Sequence, residues 1–343
     1  MNRRRRFTAA ALAFAFAISG SLAAQHEHMD MAQHEHMAMM PRAANAKLTV
    51  ANDPSAHVLT VRLGPLNLPA HAGMNVAQAP DLTLTIPFDG WITAYHPRLT
   101  DATGQTLPPR LLHHVAFYNT ERADLLCPGK PEHIFGAGGE MNDWPATPGV
   151  GYRVQKGDPI RVATMFHNES ETSYPQVYLE VKMEYKPLVA GAEALKNVYP
   201  VWFDVKECGN SAYTLEPGRN VTSGQFTLAY SGKLIGVGGH MHDYGRELRL
   251  VDATRNEHIA TLDAKLDAAG RIVSMPIARF DSRGGWRLPK GEVIKITATY
   301  NNPTGHALPD GAMGIAVGYF LPNNDSELAA LRRTSPSPPA ARH

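Results

Sequence analysis

The sequence is poor in cysteine, in net charge and in long apolar runs, and each shortage removes a class of protein. Cys127 and Cys208 are the only thiols among 343 residues. Two thiolates cannot complete a structural zinc site that needs three or four of them. In an oxidising compartment the same pair can form one disulfide; two free thiols are the alternative. The formal net charge is +1, so no basic field gathers nucleic acid or an anionic membrane surface. The apolar run from Ala9 to Ile18 is too short to span a bilayer. No second one follows, so the mature chain is not expected to be an integral membrane protein. Helical periodicity is missing too: "AGAEALKN" and "SELAALRR" amount to short turns.

What the chain does have begins with "MNRRRRFTAAALAFAFAISGSLAAQ". A basic start, a short apolar run and small residues at Ala23-Ala24 read as an export signal over residues 1–24, which predicts a periplasmic or secreted protein. Arg4-Arg5-Arg6-Phe7 allows the twin-arginine route as well as the general one. The unit Ala-Gln-His-Glu-His-Met occurs twice, starting at Ala24 and at Ala32, and residues 25–45 show no apolar period. They read as a flexible tail. Imidazole and thioether together suit copper, so His26, His28, Met29, His34, His36 and Met37 are candidate tail ligands.

From Lys47 onward apolar and polar residues alternate. "HVLTVRL", "DLTLTIPF", "RVATMF" and "QVYLEVKMEY" are followed by "GQFTLAY", "RELRLVD", "EVIKITATY" and "GIAVGYFL", with Gly, Pro, Asn and Asp between them. The reading is an all-β chain of two tandem antiparallel β-sandwiches of jelly-roll type, over residues 46–190 and 191–323. The boundary falls near "YKPLVAGAEALKN", and residues 324–343 read as a disordered tail.

Chemistry concentrates in the histidines. His240 and His242 in "GVGGHMHDYG" are at i and i+2, so on a strand both point to one face, about 7 Å apart at Cα. Two such imidazoles can converge on one ion at about 2 Å. His113 and His114 in "RLLHHVAFYN" pose the opposite case. Neighbours on a strand face opposite ways, so both can bind one ion only where the strand twists or bulges, or where the two rings use different nitrogens. His167 ends the strand "RVATMF". The remaining histidines show no paired spacing; His306, near Met313, is open to a supporting role.

Taken together, these residues resemble the copper type II, ascorbate-dependent monooxygenases, the family that includes peptidylglycine α-hydroxylating monooxygenase and dopamine β-monooxygenase. The likeness runs from roughly Ala51 to Asn323 and includes "PLVAG" and "ATYNNPTG". It implies two β-sandwich domains, each with one copper, facing each other across a solvent-filled cleft. His113, His114 and His167 fall on the first copper's ligands, an electron-transfer site. His240, His242 and Met313 fall on the second's, the catalytic site where dioxygen reacts. A thioether among imidazoles favours Cu(I). The implied cofactors are two copper ions and ascorbate or another reductant, and the implied partners are a small organic substrate and O2.

Four positions depart from the peptidylglycine enzyme. Gly238 stands where that enzyme has its substrate-binding arginine, Ile315 and Val317 where it has polar side chains, and Met165 where it has glutamine. They imply a less polar pocket and a neutral or small substrate. Two rival readings accompany the monooxygenase. One is a non-catalytic periplasmic protein that binds copper and exchanges it with a donor or acceptor protein. The other is a zinc hydrolase built on His240-Met241-His242-Asp243. The second lacks any HExxH or HxxEH stretch.

Overall fold

A computed structural model describes residues 41–140 and 143–331. The signal segment and the tail residues His26, His28, Met29, His34, His36 and Met37 lie outside the described residues. The all-β expectation holds: the elements are strands joined by turns and three short 3-10 segments. The first half supplies β1 (Lys47–Asp53), β2 (Val58–Leu68), β3 (Leu82–Thr85), β4 (Gly90–Thr100), β5 (Leu112–Ala123), β6 (Pro131–Gly138), β7 (Val150–Val154), β8 (Pro159–Phe166) and β9 (Tyr174–Pro187). The second supplies β10 (Lys196–Asp204), β11 (Tyr213–Leu215), β12 (Gly218–Thr227), β13 (Gly232–Met241), β14 (Gly245–Asp252), β15 (Glu257–Asp263), β16 (Lys265–Leu266) and β17 (Ile272–Ser274). It ends with β18 (Ile277–Arg279), β19 (Trp286–Leu288), β20 (Val293–Asn302), β21 (Leu308–Ala312) and β22 (Gly314–Pro322).

Alternation along the sequence becomes alternation across each sheet. β8 buries Ile160, Val162, Thr164 and Phe166 and leaves Arg161, Ala163 and Met165 half-buried. β20 does the same with Ile294, Ile296, Ala298 and Tyr300. Each fully buried Leu, Ile or Phe is worth about 1.5–3 kcal/mol, so these one-sided rows hold the layers together.

One sheet runs through both halves, in the order β1-β2-β9-β4-β7-β10-β22-β13-β18, with β19 also on β13. The crossing is the parallel pair β7 and β10, with Val150 opposite Lys196 and Tyr152 opposite Val198. A parallel neighbour needs a long crossover, here the passage through β8 and β9. The sheet β3-β8-β5-β6 covers the first half of this surface and β12-β20-β14-β15 the second. Two hydrophobic cores lie between the layers, and each borrows from the other half. The first takes in Ile235 and Tyr319, the second Ala123, Leu125 and Cys127. Cys127 and Cys208 are disulfide-bonded, with Cα atoms 5.6 Å apart, and join the loop after β5 to the turn after β10. Among the described residues no helix is long and apolar enough to cross a membrane.

Both ends of the folded region reach further than composition implies. Ala43 N donates to Gln78 O at 2.8 Å and Gln78 N to Pro41 O at 2.6 Å, so residues 41–43, expected in the flexible tail, are held by backbone pairing. Asp325–Leu331, expected to be disordered, forms a 3-10 segment. Leu328 and Leu331 enter the second core, and Asp325 accepts hydrogen bonds from Asn197 and Tyr199 at 2.8 Å.

Candidate functional site

The first histidine set sits where β5 meets β8. Leu112 is opposite Phe166 and His114 opposite Met165, so β5 carries one extra residue, His113, in a bulge. A bulge breaks the strict alternation of side chains. The rings of His113 and His114 lie 5.2 Å apart, centre to centre. His167 follows β8 directly, and its N–H donates to Leu111 O at 3.1 Å. Its ring is 5.5 Å from that of His113.

The second set is placed by the pairing of β13 with β22. His240 is opposite Ile315 and Met241 opposite Gly314. The next step of that register brings His242 level with Met313, the single residue between β21 and β22. The rings of His240 and His242 are 5.8 Å apart. A buried phenol locks this end: Tyr300 Oη accepts the N–H groups of His242 and Met313, each at 3.0 Å, and donates to Met313 O. Burial holds that hydroxyl well above the usual tyrosine range.

The two sets abut. The family likeness implies a solvent-filled cleft between them, whereas the rings of His113 and His242 are 4.7 Å apart. Glycine makes the approach possible. A Cβ on Gly138 would stand 2.7 Å from His240 Cε1, 2.6 Å from Glu140 Oε2 and 3.0 Å from His113 O. Glu140, from the first half, accepts a hydrogen bond from Gly138 N at 2.9 Å and lies 2.9 Å from His240 Nδ1. Arg110 meets Asp243 with both nitrogens of its fork, at 3.0 and 3.3 Å. Asp243 also accepts from Ile272 N at 2.9 Å, so its carboxylate is committed away from the rings.

Burial decides the charge of most of these rings. It holds His113 and His114 well below the usual imidazole range, aided by the neighbouring histidines. His242 is pushed down to about 3 by burial and by His240 and His114. His167 is lowered, chiefly by burial. His240 is the exception: burial opposes its charging, but Glu140 outweighs it and the net direction is up. Neutral imidazoles keep a lone pair for a ligand. Three ring nitrogens are buried without a partner: His114 Nδ1 and His242 Nε2 on rings held neutral, and Nε2 of His240.

As the side chains stand, no three His, Cys, Asp or Glu groups among the described residues close on one point. The spacing nonetheless fits shared coordination. Two imidazoles on one ion at about 2 Å have ring centres about 5 Å apart, and the separations within the sets are 5.2, 5.5 and 5.8 Å. The donors on hand are ring nitrogens in both sets, and the backbone of Met313, whose thioether the resemblance adds to the second, is tied to that of His242 through Tyr300 Oη. That chemistry suits copper in both oxidation states.

Behind His240 and Glu140 lies a cavity of about 30 Å³ lined by Phe135, Trp144, Ile277, Val317 and Tyr319. Gly238 also faces it, so two of the positions that depart from the peptidylglycine pattern border this space. It has room for about one or two water molecules, and apart from Glu140 and His240 its walls are largely apolar.

Glu140, Gly138, Tyr300 and Arg110 carry no local sequence signal for these roles. Each acts on a residue far along the chain; Glu140 and His240 are 100 positions apart. His306 is exposed and bonds Thr304 O at 3.1 Å, apart from the ring cluster. No protein-family model matches the chain, and no curated protein is significantly similar to it.

Proposed function

We propose that this chain is an exported copper-dependent monooxygenase acting on a small, uncharged organic substrate. The reaction is R–H plus O2, two electrons and two protons to R–OH and water, with the electrons from ascorbate or another external reductant. The observation that carries the reading is the set of buried, partnerless nitrogens on His114, His240 and His242. Buried polar atoms in folded proteins usually have partners, and three ring nitrogens gathered in one cluster are the donor type a metal takes, which supports a ligand there. His113, His114 and His167 would hold one copper, and His240, His242 and Met313 the other. Bound copper would supply dioxygen binding and one-electron redox chemistry.

The chain's own residues contribute the setting. Tyr300 fixes the backbone at His242 and Met313. Phe135, Trp144, Ile277, Val317 and Tyr319 make the surroundings of His240 largely apolar, which supports a neutral substrate over a carboxylate. The disulfide agrees with an oxidising, extracytoplasmic location. The test is copper-loaded protein with a reductant, scored for copper per chain and for O2 uptake with small neutral organic compounds. Met313→Ile should abolish substrate-coupled O2 uptake and leave the first set's copper in place; retained turnover overturns the assignment.

A second reading is copper storage and delivery on the same scaffold. It is favoured by the 4.7 Å contact of His113 with His242, which closes the space between the sets. Copper transfer to an acceptor protein, with no O2 consumed across reductants and substrates, would select it.

A further inference from the structure

We infer that Glu140 is a positioning residue for His240: the first half lends a carboxylate that decides which ring nitrogen of a second-half histidine is left to bind a ligand. The inference rests on the copper reading only for its consequence in metal affinity; the geometry stands on its own. Glu140 Oε1 lies 2.9 Å from His240 Nδ1, with 2% of the Glu140 side chain and 13% of the His240 side chain exposed. An ionised carboxylate can only accept, so His240 must carry its proton on Nδ1. In the neutral ring the lone pair is then confined to Nε2, and that atom is buried without a partner.

His242 reaches the same tautomer by another route. Its Nδ1 is 3.2 Å from Asp310 O, and a carbonyl oxygen also only accepts. Both rings therefore present Nε2. The two anchors differ in charge: a carboxylate behind an imidazole raises its basicity as a ligand more than a neutral carbonyl does. His240 is thus the stronger donor of the pair, and its strength depends on the other half of the molecule being docked. Glu140 is itself held, because Gly138 N donates to its Oε1 at 2.9 Å.

The test has a metal-free arm and a copper arm. In metal-free full-length protein, at a pH high enough to leave His240 neutral, 15N spectra of labelled histidines should show His240 as the Nδ1–H tautomer, and Glu140→Ala should shift it toward Nε2–H or a mixture. Glu140→Gln, whose amide oxygen can still accept, should keep the tautomer. In Cu(I) competition titrations, Glu140→Ala should weaken the second set roughly 10- to 100-fold, with Glu140→Gln recovering part of the loss and the first set unchanged. An unaltered His240 tautomer in a folded Glu140→Ala protein overturns the inference, and so does a copper affinity within twofold of the parent. A parent that binds no copper, but whose His240 tautomer still responds to Glu140→Ala, overturns the copper reading and upholds the positioning role.

Discussion

The two histidine sets occupy equivalent places, each at the end of a strand pair, but their rings are aimed by different means. In the first, the backbone does the aiming. A bulge at His113 turns an adjacent pair toward one region, and the free nitrogen of His114 is Nδ1, the one nearer the main chain. In the second, side-chain and carbonyl acceptors do it. Both Nδ1 atoms have oxygen neighbours, and the free nitrogens are the outer Nε2 atoms. A set that grips close to its own strand needs an irregular strand, while a set that reaches outward can sit on a regular one and be steered from outside. The surroundings differ likewise. At the end of the β5–β6 pair remote from the first set, where Asn119 is opposite Glu132, lies a buried ionisable network in which Tyr152 of β7 donates to Glu132 at 2.6 Å, with Arg122 close by. Behind the second stands the neutral hydroxyl of Tyr300.

The first half, which carries the ionisable network, can be probed by pH. Burial pushes the Glu132 carboxyl up to about 7, against the opposing pull of Arg122 and Tyr152. The folded chain therefore holds a proton there that the unfolded chain, titrating near 4.5, has released. Between those two values the native state binds more protons, so this contribution is full below about pH 4.5 and is lost as pH rises through about 7, by about 3 kcal/mol in total. Glu132→Gln should flatten that part of the profile. Urea unfolding at pH 5 and pH 8 measures it, and an unchanged difference between the two pH values would falsify the assignment.

From the second side the effect is smaller and indifferent to pH. Tyr300→Phe leaves the N–H groups of His242 and Met313 without their acceptor, at a cost of about 1–3 kcal/mol. The loss should be equal at pH 5 and pH 8, because the phenol stays protonated throughout. Copper binding should weaken at the second set alone. Equal weakening of both sets would mean that the phenol supports the whole cluster.

How much of this was legible along the chain depends on the range of each interaction. Strands such as "RVATMF" were readable because burial on one face writes a period of two into the sequence. The bulge at His113 could be stated as one of the ways an adjacent pair can share an ion, beside a twist of the strand or the use of different ring nitrogens. The abutment of the sets was not readable. It rests on Gly138 passing close to His240, on Glu140 reaching across, and on β7 pairing in parallel with β10. Strand order and docking are long-range outcomes that leave no local pattern. Leu328 and Leu331 were hidden for a different reason: two apolar residues beside a Pro- and Ser-rich stretch do not shift its composition, yet they suffice to pin one turn.

The finest test of the comparison is the ion pair that parallels the ring contact. Arg110 comes just before the first set and Asp243 directly follows His242, so their paired contacts at 3.0 and 3.3 Å run beside His113 and His242. If the abutment were held by this pair, Arg110→Met would open it. The side chains are 31% and 33% exposed, and partly exposed pairs give about 0–1 kcal/mol. Gly138, the Glu140–His240 bond and the continuous sheet persist without it. A double-mutant cycle of Arg110→Met with Asp243→Asn should therefore return a coupling below about 1 kcal/mol, with metal binding at both histidine sets unaltered. A much larger coupling would move the origin of the abutment from the packed interior to its charged rim, and would make the contact between the sets sensitive to salt.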